Sequence, residues 1–178
     1  EEGPDGAGVG FDLPGKTFRH ELDADYKAGR DAQPEDLTAQ IPLVRRLVEA
    51  HRIPIVEVEG FEADDVIATL VARMPDTAEV SIVSTDKDLM QLVTDHVTLL
   101  DGIRDRRYDP AGVEARFGAA PDRILDLRAL IGDASDNIPG VKGIGEKGAA
   151  KLIGEWGDLE NLLAHREAIK AKRSRQAP

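Results

Sequence analysis

No cysteine occurs anywhere in the chain. A disulfide framework, a thiolate zinc site and a thiol nucleophile are thereby excluded, and any metal site must be built from carboxylates or histidines. Histidine is itself sparse, four scattered residues, which leaves carboxylates as the ready donors. Aromatic residues make up only 4% of the chain, and no apolar run approaches the roughly 20 residues that cross a bilayer. The opening Glu1-Glu2-Gly3-Pro4 has neither a basic stretch nor an apolar one, so no leader and no membrane partner are expected, and the reading is cytoplasmic. Internal repeats and low-complexity segments are absent as well.

What is present is charge. The chain has 178 residues, 41% hydrophobic and 32% charged, enough for one ordinary core and a small appended helical unit. The formal charge of −11, taken alone, opposes a nucleic-acid partner, because phosphate binding rests on Lys and Arg. The charge is segregated, however. Residues 1–138 hold 15 Lys+Arg against 29 Asp+Glu, whereas residues 139–178 hold 8 against 5. An acidic body with a basic end suits a protein that concentrates cations at a reaction centre and holds a polyanion nearby. A merely solvated acidic surface is the alternative reading of the charge alone.

The pattern along the chain is α/β. Val9-Gly10-Phe11-Asp12 reads as the end of a strand, and Pro34 opens a stretch with Leu37, Ile41, Val44, Leu47 and Val48 at helical spacing, which Pro42 should kink or divide. Strands are expected at 53–58, 79–84 and 97–100, with a helix over 63–72 between the first two. Such alternation implies a parallel, helix-covered sheet. After Pro110 helices are expected near 110–117, 121–131, 146–155, 158–164 and 166–174. The Gly-rich stretch Pro139-Gly140-Val141-Lys142-Gly143-Ile144-Gly145 is a connection between them. Two regions follow: 1–109, the α/β part, and 110–178, the helical part.

Acidic residues gather at three of these junctions. Glu62-Ala63-Asp64-Asp65 lies where a helix begins, a position that the helix dipole favours for structural reasons alone. Asp86-Lys87-Asp88 follows the strand Val80-Ser81-Ile82-Val83, and ligands of open parallel sheets bind outside such strand ends. N-capping explains one of those two Asp, not readily both. Asp133-Ala134-Ser135-Asp136-Asn137 sits at a turn, where turn chemistry is an adequate structural explanation. With Asp12 at the first strand end, the set Asp12, Glu62, Asp64, Asp65, Asp86, Asp88, Asp133 and Asp136 would repel itself unless cations neutralise it. All-oxygen donors point to Mg²⁺ or Mn²⁺, and two such ions can activate a water and stabilise a leaving oxygen of a phosphodiester.

The runs Phe61-Glu62-Ala63-Asp64-Asp65, Ser84-Thr85-Asp86-Lys87-Asp88 and Gly132-Asp133-Ala134-Ser135-Asp136-Asn137-Ile138-Pro139-Gly140-Val141-Lys142-Gly143-Ile144-Gly145-Glu146-Lys147 occur in one order and at fitting intervals. Together they resemble the 5′-3′ exonuclease, flap endonuclease-like domain that opens bacterial DNA polymerase I. The resemblance implies a parallel-sheet 5′ nuclease core of the PIN-like, resolvase-like kind, with a helical arch over about 16–52 and an appended helix–hairpin–helix DNA-binding unit over about 133–155. It implies one metal held by Asp12, Glu62 and Asp64, a second near Asp64, Asp86, Asp88 and Asp136, and Asp65 and Asp133 as outer members. In the arch, Lys27 and Arg30 match basic residues that steer the scissile phosphate and stabilise its charge. Tyr26 is there a stacking platform for a base, with Arg19 and Lys16 as helpers.

Lys142, Gly143, Gly145 and Lys147 match the hairpin that grips duplex DNA through its backbone and that in the family can bind K⁺. Read as bare residues, Tyr26-Lys27-Ala28-Gly29-Arg30 is first of all a solvated helix surface, which the resemblance reverses, and the two glycines are equally a tight joint between helices. The basic Arg166, Lys170, Lys172, Arg173 and Arg175 continue the duplex track or form a solvated helix end. Family members begin with a further strand carrying another metal-binding Asp well before the position of Asp12, and they continue past the hairpin region into closing segments and a polymerase domain. The chain is therefore expected to be truncated at both ends. The resulting expectation is Mg²⁺-dependent hydrolysis of DNA phosphodiesters at a 5′ flap, nick or free 5′ end, in replication and repair. The alternatives are a catalytically impaired fragment that only binds branched DNA and, from Asp86-Lys87-Asp88 alone, a metal-dependent phosphatase acting on small substrates.

Overall fold

The computed structural model describes residues 3–30 and 32–169. Contacts divide the chain into two units, Glu1–Met74 with Ser135–Asn137, and Pro75–Ala134 with Ile138–Pro178. In the first, β1 (Val9–Gly10) pairs in parallel with β2 (Ile55–Val56), Val9 opposite Ile55 and Gly10 opposite Val56. Both strands are shorter than the apolar runs that carry them, because the regular ladder ends as soon as the chains turn toward the helices. Between them lie α1 (Phe18–Leu22), a series of tight turns over 24–29, and α2 (Glu35–Ala50).

Helix α2 runs through Pro42 undivided, so of the two outcomes expected there, a kink or a division, the division does not occur. Pro42 and Thr38 are both exposed, so the carbonyl that loses its N–H donor is open to water. No residue of α2 is buried, and its Arg45 joins the rest of the unit through Glu57 at 2.6 Å and the face of Phe11. After β2, α3 (Ala63–Ala72) fills the span that its apolar spacing predicts, burying Val66. α3 packs on β1 at Gly10, where a Cβ would make ordinary van der Waals contact with the Ile67 side chain at 3.4 Å and the Ala63 carbonyl oxygen at 3.5 Å.

The second unit carries a three-stranded sheet. β3 (Val80–Val83) and β4 (Val97–Asp101) are parallel, Val80 opposite Val97, and β5 (Arg106–Tyr108) returns antiparallel, Leu99 opposite Tyr108. That last strand was not expected, for Arg106-Arg107-Tyr108 has none of the apolar alternation that marks a strand; the turn creates it. Asp101, only 3% exposed, accepts the backbone N–H groups of Ile103 and Arg104 at 3.1 and 3.0 Å and the Arg104 guanidinium at 2.7 Å. Helices α4 (Pro110–Phe117) and α5 (Ile124–Ile131) follow, α4 capped by Asp109 and closed by Gly118 in the left-handed region. Leu99, Val113, Ile124, Leu127 and Ile153 form the buried centre.

A small hairpin of β6 (Gly132–Asp133) and β7 (Ile138–Pro139) leads into α6 (Glu146–Trp156) and α7 (Leu159–Ala164). Of the helix expected at 166–174, residues 166–169 are helical and the remainder lies outside the described residues. None of the described helices is long and apolar enough to cross a membrane.

Gly132 and Gly140 cross at van der Waals contact beside that hairpin. Gly132 has φ +77°, and a Cβ on Gly140 would fall 2.0 Å from the Ile131 carbonyl oxygen, backbone that cannot move aside. Gly140→Ala should therefore cost about 1–3 kcal/mol or more, read as a lowered midpoint of urea unfolding; an unchanged midpoint would show that the crossing is not tight. A second expectation comes from Asp101, whose pKa is depressed chiefly by its hydrogen bond to Arg104. A group with a depressed folded pKa contributes stability above its unfolded value, near 3.9, and loses it as pH falls through the folded one. Asp101→Asn should thus be less stable than the parent chain at neutral pH, with the gap closing as the pH falls below the ordinary carboxylate range; a gap constant with pH would remove the ion pair from the account.

Candidate functional site

The start of α3 gathers charge because three separate parts of the first unit reach it. Asp12, just past β1, accepts the Ala63 N–H at 2.7 Å. Glu62 is the N-cap residue, and Asp64 and Asp65 occupy the first helical turn, where partial positive charge favours them. Asp65 accepts the Glu62 N–H at 3.0 Å and both guanidinium nitrogens of Arg19, at 2.6 and 2.7 Å. That bidentate pair holds the Asp65 carboxyl below the usual carboxylate range and raises Arg19.

Asp136 joins the same cluster through the segment 24–30. The buried Tyr26 hydroxyl donates between the Glu62 oxygens, at 3.2 Å each, and Asp136 Oδ2 at 3.0 Å. Burial first, and then the two acids, push its pKa upward. Lys27 donates from Nζ to Glu62 Oε1 at 2.7 Å, and its backbone N–H donates to the Asp136 carbonyl at 2.9 Å. The Arg30 guanidinium bonds Asp136, and its Nε donates to the Ser135 carbonyl at 3.2 Å. Lys27 takes φ +57°, a left-handed conformation that costs a non-glycine residue roughly 1–2 kcal/mol and that these contacts hold in place. Tyr26 is thus not an open aromatic platform. Its ring lies under the edge of His20, centroids 5.2 Å apart, and its hydroxyl links two acids.

In the second unit, Asp86 closes the turn after β3, accepting the Asp88 N–H at 2.8 Å while its own N–H donates to Ser84 Oγ at 3.0 Å. Arg128 on α5 stands between the other two acids. Its Nη2 donates to Asp133 at 2.5 Å, and its Nε is 2.6 Å from Asp88 Oδ1 at an angle that leaves the contact Coulombic. Burial raises the Asp88 pKa against the pull of Arg128, and the charges of Asp86 and Asp133 add to that rise. Sequence reasoning did not single out Arg128. The available signal was its place on the apolar helix that ends just before Asp133.

Gly143 adopts φ +81°, and Gly145 is the N-cap residue of α6, accepting the Ala149 N–H at 2.9 Å, so the glycines sit where a loop enters a helix. Lys142 and Lys147 are exposed on that loop and helix start, as is Lys16 in its own unit. Arg166 faces Glu167 at 3.8 Å, and Lys170, Lys172, Arg173 and Arg175 lie outside the described residues.

A divalent ion would meet suitable donor chemistry here: oxygen-only carboxylates, with Asp12, Glu62, Asp64 and Asp136 in the first unit and Asp86 and Asp88 in the second. Among the described residues no three acidic or histidine side chains are assembled as a ready ligand set. Side-chain cations instead neutralise Glu62, Asp65, Asp88, Asp133 and Asp136.

Tyr26 offers a direct check on the first unit. Tyr26→Phe leaves two acids without their shared donor and should lower stability by about 1–3 kcal/mol in urea unfolding, whereas a neutral effect would mean that Lys27 and Arg30 suffice.

A family model described as the 5′-3′ exonuclease N-terminal resolvase-like domain matches residues 1–118, and one described as the 5′-3′ exonuclease C-terminal SAM fold matches residues 119–177. DNA polymerase I of Bacillus caldotenax is 46% identical over 181 residues, covering 99% of this chain and 21% of that protein, so the chain spans about one fifth of this relative. The flap endonuclease of bacteriophage T5, solved as a pseudo-enzyme-product complex with DNA and metal ions, is 27% identical with a TM-score of 0.78, covering 90% of this chain and 63% of that one. The catalytic core of Rad2 in complex with a DNA substrate, 19% identical with a TM-score of 0.55 over 95% of this chain and 54% of that one, shares the fold. The chain, with its α/β resolvase-like part and its helical part, belongs to the 5′-3′ exonuclease family, the flap endonuclease-like nucleases that include the N-terminal portion of DNA polymerase I.

Proposed function

We propose that this chain hydrolyses DNA phosphodiesters at a 5′ flap, nick or free 5′ end, with Mg²⁺ or Mn²⁺ as its ions. The observation that carries the reading is the seating of Lys27 and Arg30 on Glu62 and Asp136, which brings two phosphate-binding cations onto the acids of the same unit. Asp12, Glu62, Asp64 and Asp136 are the proposed metal donors of the first unit and Asp86 and Asp88 those of the second, with Asp65 and Asp133 supporting them from their arginine pairs. Bound ions of this class supply an activated water and stabilise the leaving oxygen.

The chain's own residues do the rest. Lys27 and Arg30 orient the scissile phosphate and offset the charge that develops on it, Arg30 through a planar fork suited to phosphate oxygens. Arg19 keeps Asp65 ionised, and Tyr26 keeps Glu62 and Asp136 facing these cations. Lys142, Gly143, Gly145 and Lys147 hold duplex backbone, contacts that position without reading sequence, with K⁺ as a further proposed occupant of that loop. Lys16 adds charge for the same polyanion. The full proteins to which this chain is related supply the polymerase domain as a proposed partner in cis.

A second reading, branched-DNA binding without cleavage, draws on the side-chain cations that already neutralise the acids. Cleavage of an end-labelled 5′-flap DNA decides between them. The nuclease reading expects cutting that EDTA abolishes, that Asp86→Ala eliminates, and that Lys27→Ala and Arg30→Ala each slow by about 10²-fold or more. Flap DNA bound but left uncut in Mg²⁺ and in Mn²⁺ would establish the binding module instead, and cutting that persists in EDTA would remove the metal-dependent reading.

A further inference from the structure

Beside the β4–β5 hairpin, wholly within the second unit, a cavity of about 180 Å³ is lined by four cationic side chains, Lys87, Arg104, Arg106 and Arg116. In a chain of net charge −11 such a concentration requires an explanation. Its one carboxylate, Asp101, is already engaged by Arg104 and by the N–H groups of the turn. Among the described residues Arg116 has one ion pair, to the exposed Glu146 at 3.7 Å, and Lys87 and Arg106 have none. Cations gathered in one hollow repel one another, and an anion between them reverses that cost.

Size narrows the choice of anion. Sites for drug-sized molecules begin near roughly 300 Å³, so this cavity takes a small group and not a nucleoside. Three guanidinium forks and an ammonium suit the tetrahedral oxygens of phosphate. We propose that this cavity, which borders the Asp86–Asp88 turn through Thr85 and Lys87 but has neither of those carboxylates in its lining, is a phosphate-binding site that takes either one backbone phosphate of a bound DNA strand or a free phosphate. The site stands on its own cations, while its use for a DNA phosphate rests on the nuclease reading given above.

The test compares the 178-residue chain with its Arg106→Gln/Arg116→Gln variant; both side chains are exposed, and Arg106→Gln alone replaces the pair should the double variant unfold. Inorganic phosphate is titrated by calorimetry, and the affinity for duplex DNA is measured against salt. Heat of phosphate binding that disappears in the variant, with the DNA salt dependence unchanged, supports the site and assigns it a free phosphate. A log–log salt slope reduced by about 1 to 2 in the double variant supports the site and assigns it a DNA phosphate. No phosphate binding together with identical salt slopes overturns the proposal. Because the calorimetry needs neither DNA nor cleavage, its result stands even if flap cutting fails.

Discussion

Carboxylates placed side by side must be neutralised, and the first unit depends on how this one does it. Two like charges about 4 Å apart repel by roughly 4 kcal/mol near a protein surface, so five acids around one helix start could not coexist bare. Lys27, Arg30 and Arg19 answer three of them, and the Tyr26 hydroxyl spans two. The same contacts bind segments far apart in sequence: the turns at 24–30, the start of α3 and the short stretch Ser135–Asn137. Apolar burial contributes little there. Among the described residues of this unit, only Tyr26 and Val66 count as buried hydrophobic side chains. Polar contacts in so thin a core organise the site and hold the unit's parts together at once.

The second unit solves its problem differently. A packed centre of Leu99, Val113, Ile124, Leu127 and Ile153 fixes the sheet against the helices, and charge is settled locally on that frame. Arg128 answers Asp88 and Asp133 from a helix whose other face is buried, and Arg104 answers Asp101 within its own turn. Removing one such pair leaves the frame in place, whereas in the first unit the pairs are the frame.

These differences set what could be read in advance. Helices at 63–72 and 110–117 were legible because each carries apolar periodicity and a capping signal, and the helix expected at 121–131 forms over Ile124–Ile131 on apolar spacing alone. β5 was not, since its residues have no strand pattern and pair only because the Asp101 turn folds them back. Pro42 does not divide α2, because its cost depends on whether the freed carbonyl meets water, which sequence does not record. The acids were legible by their place at strand ends and helix starts. Their partners were not: Arg128 lies on an apolar helix, and Tyr26 read as a surface aromatic until its hydroxyl was found between two carboxylates.

Structural and functional roles of the acidic residues are compatible in this geometry. Asp12 and Asp65 cap α3, and Asp86 closes a turn. Each does so with one part of its bonding capacity, since a carboxylate has about four acceptor positions and a backbone N–H takes one. The cations are equally divisible: the contacts of Lys27 and Arg30 use only some of three ammonium and five guanidinium donors, leaving others for a phosphate. An acidic cluster of this kind can be held together by its own pairs and still have both signs of charge left to offer.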